Sequence, residues 1–327
     1  MTISRKTLSF VASMAAVSPA VCAADADKAW PTHHVRIIVP ISAGSTTDTA
    51  ARLFADGLAK RWGQPVVVEN RSGADTHIAT AEFIKARDDH TLLWGIPSAF
   101  TINPLLLGIA PYDPQDLVPI SATASPVRLV MVHTGVPARS LGDLARLARA
   151  EPGRLLWGAP PGIPRYVFAA FLRRQSLDMP YVPYRDFGSA LIDLGEGRLQ
   201  VWATAGLGAI GLVQSGKARI IAVLEARRVP MLPEVATAAE AGYPEMATID
   251  GFMGLFGWRD IPAALRDKIA GEVQAIAKEP VVRSRLEAMG QVALGTTPAE
   301  FAAAIEKQRL QIGELARLID LKTATSK

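Results

Sequence analysis

Short apolar runs alternate with segments of helical periodicity along most of this 327-residue chain. The predicted strands are Val35–Val39, Val66–Glu69, Thr91–Trp94, Leu129–His133, Leu155–Trp157, Leu199–Ala203 and Arg219–Leu224. Apolar residues at helical spacing predict helices over Thr76–Arg87, Ser140–Ala150, Arg165–Gln175, Ala263–Lys278, Pro280–Met289 and Pro298–Ile319. Strands and helices that alternate in this way predict an α/β fold with mainly parallel sheets.

The loop Ile41–Thr47 follows the strand Val35–Val39 and leads into a further helical pattern. Ser45 and Asp48 have the spacing of a capping pair, in which Ser45 caps the helix and Asp48 reaches back. Gly44 lets the backbone approach a ligand closely. The unpaired N–H groups of a first turn, together with the helix dipole, favour a carboxylate or phosphate there. An ordinary capped helix without a ligand fits the same residues.

Two hexapeptides, Leu92–Pro97 and Leu155–Pro160, are nearly identical, and each ends in a turn containing glycine and proline. In open α/β sheets, ligands bind beyond the carboxyl ends of strands, where such turns emerge. The pair therefore indicates two related α/β domains that offer equivalent loops to a shared cleft. Two matches of this length also arise by coincidence.

Residues 1–23 have the pattern of a signal peptide. Its basic start, apolar core and cleavage site are Arg5-Lys6, Leu8–Val17 and Val21-Cys22-Ala23. The apolar core is too short for a permanent membrane anchor, so we predict cleavage near Ala23 and export to the periplasm. Cleavage would remove Cys22, the one cysteine of the sequence, and with it any thiolate metal site or cysteine nucleophile. Lipid attachment at Cys22 is the alternative.

The sequence lacks the charge pattern of a nucleic-acid-binding protein and the common motifs of hydrolases, nucleotide-binding proteins and metalloproteins. Loss of Arg5 and Lys6 lowers the formal net charge from +4 to +2, which is too small and too dispersed to predict nucleic-acid binding. The sequence contains no Gly-x-Ser-x-Gly, His-Glu-x-x-His or Walker-type motif, and its five histidines lack metal-ligand spacing. We therefore expect no catalytic residue, no metal and no cofactor.

A set of short segments, taken in order, carries a family resemblance across nearly the whole chain beyond the leader. These segments are Trp30-Pro31, Val35–Pro40, Gly44, Thr47-Asp48, Gly63–Arg71, Ile102–Pro104, Pro111–Pro114, Val182–Tyr184, Pro233–Thr237 and Glu240–Gly242. The set resembles the Bug (TctC-type) family, the periplasmic solute-binding proteins of tripartite tricarboxylate transporters.

The resemblance implies a fold like that of type II periplasmic binding proteins, with two α/β lobes joined by crossing strands. Lobe one would comprise residues 24–124 and 250–327, and lobe two residues 125–249. The chain would cross between them near Ala124–Arg128 and Ile249–Gly254. The resemblance further implies a monomer that holds a small carboxylate or related amide between its lobes and presents it to membrane transporter subunits.

The site that the resemblance implies is built from loops of both lobes, chiefly Ile41–Thr47, Pro97–Thr101 and Ala159–Arg165. The ligand-binding residues carried over by position are Ile41, Ser42, Ala43, Gly44, Ser45, Thr46, Thr47, Pro97, Ser98, Ala99, Phe100, Pro161, Gly162, Ile163, Arg165, Asp186 and Thr204. The sequence departs from the family pattern at several of them. Ser42–Ser45 stands where Pro-Pro-Gly-Gly is usual, and Thr204 stands where Asp is common, so the ligand's identity is not inherited.

The third loop differs most from the family pattern. Pro160, Pro161 and Pro164 each remove a backbone donor, so the loop cannot present the usual row of N–H groups. A guanidinium at Arg165 would replace them, because its planar fork suits a carboxylate. Alternatively, Arg165 reaches solvent or pairs with Asp186.

These observations predict a periplasmic binding protein without catalytic activity. An exported hydrolase that uses the same cleft is one alternative. A second is an accessory protein that delivers the ligand to a signalling receptor instead of a transporter.

Overall fold

The computed structural model describes residues 30–96, 101, 112–160, 162–184, 186–247 and 251–318. The strands are β1 (Val35–Val39), β2 (Val66–Asn70), β3 (Thr91–Gly95), β4 (Leu117–Pro126), β5 (Arg128–His133), β6 (Trp157–Gly158), β7 (Val201–Ala205), β8 (Ala218–Val223), β9 (Met253–Trp258) and β10 (Gln291–Ala293). The helices are α1 (Thr46–Trp62), α2 (His77–Ala86), α3 (Leu141–Ala150), α4 (Ile163–Arg174), α5 (Phe187–Gly195), α6 (Ile210–Gln214), α7 (Ala263–Lys278), α8 (Pro280–Ala288) and α9 (Pro298–Leu318). None of the helices within these ranges is long and apolar enough to cross a membrane.

The strands form two sheets. The first sheet has the order β10-β4-β9-β3-β1-β2, and the second sheet has the order β6-β7-β5-β8. Strand β1 runs parallel to β2 and β3, and β6 runs parallel to β7, whereas the other described pairs are antiparallel. The predicted α/β fold is confirmed, but the expectation of mainly parallel sheets is wrong. Strands β4, β5 and β9 adjoin the crossings between the sheets, so no crossover helix forces them to run parallel to their neighbours.

Each sheet has its own apolar core, formed with the helices that cover it. In the first core, Phe54 of α1 and Ile269 of α7 pack in one buried cluster with β1 and β3. In the second, Val130 of β5 packs in a cluster with Phe168 of α4. Strand β3 is buried along its whole length, which is why its sequence is a continuous apolar run and not an alternating one.

The two sheets are connected at two chain crossings that lie side by side. Strand β4 ends at Pro126 and β5 begins at Arg128, so Val127 is the only residue between them. The second crossing precedes β9, and there the carbonyl oxygen of Gly251 accepts a hydrogen bond of 2.6 Å from Ser125 Oγ. The lobe boundaries taken from the resemblance stay a prediction.

Helix α9 is a third connection between the two cores. Near its start, Phe301 packs in a cluster with Phe252 and Phe256 of the first sheet's side. Near its end, Ile312 belongs to the buried cluster of the second sheet. Helix α9 therefore contacts both halves of the molecule, although the family resemblance assigns it to lobe one.

Gly254 provides a test of how tightly the first sheet is packed. A Cβ atom at this position of β9 would lie 2.4 Å from Phe301 Cζ and 2.6 Å from the carbonyl oxygen of Ser121. We expect Gly254→Ala to lower the free energy of unfolding by about 1–3 kcal/mol, because the added methyl group overpacks the core. Urea unfolding measures the change.

Gly271→Ala is the matched control for that substitution. Gly271 lies on the exposed face of α7, where a Cβ atom would meet nothing within 4 Å. Alanine is more stable than glycine in a helix interior by roughly 0.5–1 kcal/mol, so this variant should be slightly more stable than wild type. A Gly254→Ala protein that unfolds at the wild-type urea concentration would contradict the packing described.

Candidate functional site

The first loop reaches α1 through the cap that the sequence predicts. Ser45 Oγ accepts a hydrogen bond of 3.1 Å from the backbone N–H of Asp48. The Asp48 carboxylate reaches back to the loop, where Oδ2 accepts from the N–H of Gly44 at 2.9 Å. Gly44 has φ of +80°, a conformation that glycine adopts without strain. The predicted cap is confirmed, with Gly44 as the donor to Asp48.

Asp48 holds the loop and the helix to the neighbouring strand. Its carboxylate accepts from Arg52 Nε at 3.0 Å and from Asn70 Nδ2 at 2.8 Å, and Asn70 Nδ2 also donates to the Ile41 carbonyl at 2.9 Å. Burial alone would raise the pKa of the Asp48 carboxyl, but the hydrogen bonds from Arg52, Asn70 and the Gly44 N–H hold that pKa below its usual value. Asp48 therefore has a structural role as a buried carboxylate.

The remaining donors of the first turn belong to Thr46 and Thr47. The first N–H groups of an α-helix have no acceptor inside the helix, and Ser45 satisfies that of Asp48. Both threonines are partly exposed. The N–H groups and the positive end of the helix dipole together can accept an anion.

Thr46 also brings the first loop against the second sheet. A Cβ atom at Gly206, just after β7, would lie 3.1 Å from Thr46 Oγ1, and one at Gly208 would lie 3.5 Å from Thr46 Cγ2. The same Gly208 position is 3.1 Å from a ring carbon of Phe187, the first residue of α5. The start of α1, the start of α5 and the loop after β7 therefore meet.

Two predicted site residues are close to this junction in sequence. Asp186 directly precedes Phe187, and Thr204 precedes Gly206 by two positions. Asp186 is the N-cap of α5, and its carboxylate accepts from Ser189 N and Ser189 Oγ at 2.8 Å each. The Ser189 backbone hydrogen bond lowers the pKa of the Asp186 carboxyl. Thr204 is buried at the end of β7, and its hydroxyl has no hydrogen-bond partner among the described residues.

The third loop ends in a buried arginine. Helix α4 begins at Ile163 after Gly162, which has φ of +117°. Arg165, in the first turn, is only 8% exposed, and its guanidinium lies over the Tyr181 ring at 4.5 Å from the ring centroid. The alternative in which Arg165 reaches solvent is therefore wrong. A cation in the first turn of a helix is electrostatically unfavourable unless an anion compensates it.

Several predicted site residues lie outside the described part of the chain. They are Pro97, Ser98, Ala99, Phe100 and Pro161. Thr101, which follows the second loop, is buried and donates from Oγ1 to Gln308 Oε1 of α9 at 3.1 Å. This bond ties the end of the second loop to the helix that contacts both cores.

The structure adds residues that sequence reasoning did not place at the site. They are Asn70, Tyr181, Gly206 and Gly208. Asn70 had a signal, because it directly follows the predicted strand Val66–Glu69 and carries an amide able to bond loop carbonyls. The two glycines and Tyr181 had no signal that separates them from ordinary loop residues.

Comparison with known proteins shows the family of this chain. Residues 50–319 match the family described as "Tripartite tricarboxylate transporter family receptor". The chain belongs to this TctC family. Protein BugT of Bordetella pertussis is 32% identical over 232 residues, which cover 68% of this chain and 70% of BugT.

Two similar proteins with solved structures have the same fold. Rpa4515 of R. palustris, solved with adipate, is 29% identical with a TM-score of 0.83, covering 88% of this chain and 98% of its own. MatC of Rhodopseudomonas palustris, solved with bound malate, is 27% identical with a TM-score of 0.76, covering 90% and 100%. The periplasmic-binding-protein fold expected from the sequence is thus confirmed, as is the function of a TctC solute-binding receptor.

Asp48 makes the stability of this TctC receptor depend on pH. The pKa of the Asp48 carboxyl is depressed in the folded state. The stability that this carboxylate contributes is therefore fully present above the unfolded-state pKa, and it is lost as the pH falls through the folded-state pKa. We expect Asp48→Asn to lower the free energy of unfolding by about 1–3 kcal/mol at neutral pH, because it breaks a buried hydrogen-bond network. The difference from wild type should shrink as the pH falls below about 4.

Urea unfolding at several pH values measures this difference. Asp56→Asn is the matched control, because Asp56 lies on the exposed face of the same helix. A difference between Asp48→Asn and wild type that stays constant down to about pH 2 would contradict the assignment.

Proposed function

We propose that this receptor captures a small carboxylate between its two lobes and presents it to the membrane subunits of a tripartite transporter. The observation that carries the proposal is the meeting of the α1 first turn with the second-sheet loop Gly206–Gly208. Rpa4515 and MatC, the similar proteins solved with adipate and malate, support a carboxylate as ligand.

The ligand would be held by groups from both lobes. The N–H groups of Thr46 and Thr47 would bind one carboxylate from the first lobe, and the Arg165 guanidinium would contribute from the second. Each charge-assisted hydrogen bond contributes roughly 1.5–3 kcal/mol, and a micromolar dissociation constant corresponds to about 8.2 kcal/mol. Roughly three to six such bonds are therefore sufficient.

Binding would be coupled to closure of the lobes. The ligand contacts both lobes only when they are closed, so its presence shifts the population towards the closed form. Val127 would provide the hinge, since it is the single residue between β4 and β5, and Gly251 of the crossing before β9 lies beside it through its bond to Ser125. The closed form would be the one that the transporter subunits recognise.

We further propose that the receptor does not transform its ligand and acts as a monomer. Asp48 and Asp186, the carboxylates at the starts of α1 and α5, are engaged as helix caps. A general base needs a carboxylate free to accept a proton from the substrate. Residues 1–23, which lie outside the described range, would direct export and be removed near Ala23.

A ligand screen tests this function. Adipate, malate, succinate, aromatic acids, amino acids and amides would each be added to the purified receptor while its thermal unfolding is followed. A ligand at 100 times its dissociation constant stabilises the folded protein by about 2.7 kcal/mol, so a bound carboxylate should raise the melting temperature. Mass spectrometry of the same mixtures should recover the ligand unchanged.

Two results of this screen would count against the proposal. Turnover of a bound compound would support the exported hydrolase instead. A melting temperature unaffected by every carboxylate would argue against carboxylate capture. A pull-down from membranes would distinguish transporter subunits from a signalling receptor as the partner.

The role of Arg165 has its own test. Arg165→Met keeps an apolar stem against Tyr181 but removes the guanidinium. We expect its affinity for the carboxylate identified in the screen to fall roughly 10- to 150-fold, which corresponds to the loss of one charge-assisted hydrogen bond. Isothermal titration calorimetry measures the change.

Arg174→Met is the matched control, since Arg174 is exposed at the other end of the same helix. It should bind like wild type. If Arg165→Met folds and binds as tightly as this control, the guanidinium does not contact the ligand.

A further inference from the structure

Gln291, in the short edge strand β10, is hydrogen-bonded to the first turn of α1. Its side chain is completely buried, and Nε2 donates to the Thr46 carbonyl at 2.9 Å across 245 residues of sequence. Strand β10 pairs antiparallel with β4, with Gln291 opposite Pro126, next to the first crossing. The bond therefore connects the strand edge beside the hinge to the residue at the start of the candidate site.

The side chain of Gln291 is only half satisfied. Oε1 is buried and has no hydrogen-bond partner among the described residues. A buried polar atom without a partner lowers stability, and an apolar side chain of similar shape avoids that cost. Core stability alone therefore does not account for a glutamine here, and its bond to Thr46 remains as the feature that an apolar residue would lack.

The segment that carries Gln291 joins three parts of the molecule. The carbonyl of Met289 accepts from Leu207 N at 2.8 Å, and the carbonyl of Gly290 accepts from Val127 N at 2.8 Å. Residues 289–291 thus contact the loop after β7, the crossing residue and the start of α1. Thr46 in turn lies against Gly206. The position of Thr46 therefore affects both the first turn of α1 and its contact with the loop after β7.

We propose that Gln291 is a positioning residue that sets the first turn of α1 through the Thr46 carbonyl. Gln291 does not touch the ligand. It fixes Thr46 so that the N–H groups of the turn and the contact with Gly206 keep one geometry when the lobes meet. This inference rests on the proposed carboxylate function of the same turn.

Gln291→Leu is the first test. The substitution removes both the donor to Thr46 and the unpaired Oε1, so the urea midpoint should stay close to that of wild type. Affinity for the carboxylate found by the screen, with adipate and malate as the first probes, should fall about tenfold, as for the loss of one buried hydrogen bond. Gln274→Leu is the matched control, because Gln274 also donates to a backbone carbonyl, that of Thr296.

Gln291→Glu adds a readout that a merely structural role would not produce. Burial raises the pKa of a carboxyl group, so near pH 5 the new side chain is protonated and can donate its O–H to the Thr46 carbonyl. When it ionises at higher pH, two acceptors face each other and the bond is lost. We expect near wild-type affinity at about pH 5 and a progressive loss towards about pH 9.

Wild type at the same pH values is the control for other titrating groups. Asp48 is the carboxylate of the facing α1 turn, and its depressed pKa keeps it ionised over this range. Arg283, Arg285 and Glu287 of the adjacent helix α8 are exposed. Strand β4 contributes Ser125 and Pro126, and the flanking residues of β10 are Gly290 and Val292, none of which is charged.

The carbonyl carbon of Thr46 supplies a readout that needs no ligand. Its NMR chemical shift reports the hydrogen bond, so it should move in Gln291→Leu, stay fixed in Gln274→Leu, and titrate in Gln291→Glu. An unmoved Thr46 signal, or wild-type carboxylate affinity in folded Gln291→Leu, would overturn the positioning role. If the Thr46 signal moves in Gln291→Leu but the wild-type receptor binds no carboxylate, the proposed function is rejected and the action of Gln291 on Thr46 is retained.

Discussion

The candidate site depends on how one buried carboxylate fixes the start of α1 at the ends of β1 and β2. Asp48 accepts hydrogen bonds from Gly44, Arg52 and Asn70, and Asn70 also holds the carbonyl of Ile41. A buried carboxylate is costly unless it is fully hydrogen-bonded, so the loop cannot shift without losing this compensation. The turn therefore keeps its remaining donors, those of Thr46 and Thr47, in a fixed direction.

The spacing of apolar and capping residues was sufficient to predict helices whose ends are set by residues close in sequence. Helix α7 begins and ends where its spacing predicts, and Ser45 with Asp48 marked the start of α1. Strand β6 begins at Trp157, two residues later than the apolar run that predicted it. The N–H of Leu156 there bonds to the side chain of Gln200 and not to a strand. An apolar run indicates that a segment is buried, but a strand also needs backbone hydrogen bonds to a neighbouring strand.

The contacts that define the site could not be predicted, because they join distant parts of the chain. The bond between Gln291 and Thr46 spans 245 residues, and a single glutamine in a short strand carries no local signal of its partner. Ile312 packs in the second core although the chain has already returned to the first sheet. The directions of β4, β5 and β9 likewise follow from the crossings and not from their composition. Family resemblance supplied the loops but not these contacts.

The distribution of charge explains why the proposed binding and closure would be a single event. On the side of the first sheet, Arg52 compensates the charge of Asp48, so this pair offers no net charge to a ligand at the α1 turn. The buried charge of Arg165 lies in α4, which packs in the core of the second sheet. In the proposed site, a carboxylate that touched one half would therefore gain only part of the interaction, and the rest would be gained on closure. Because α9 packs against both cores, any such movement must also displace or bend that helix, which favours a small rotation about Val127 over a wide opening.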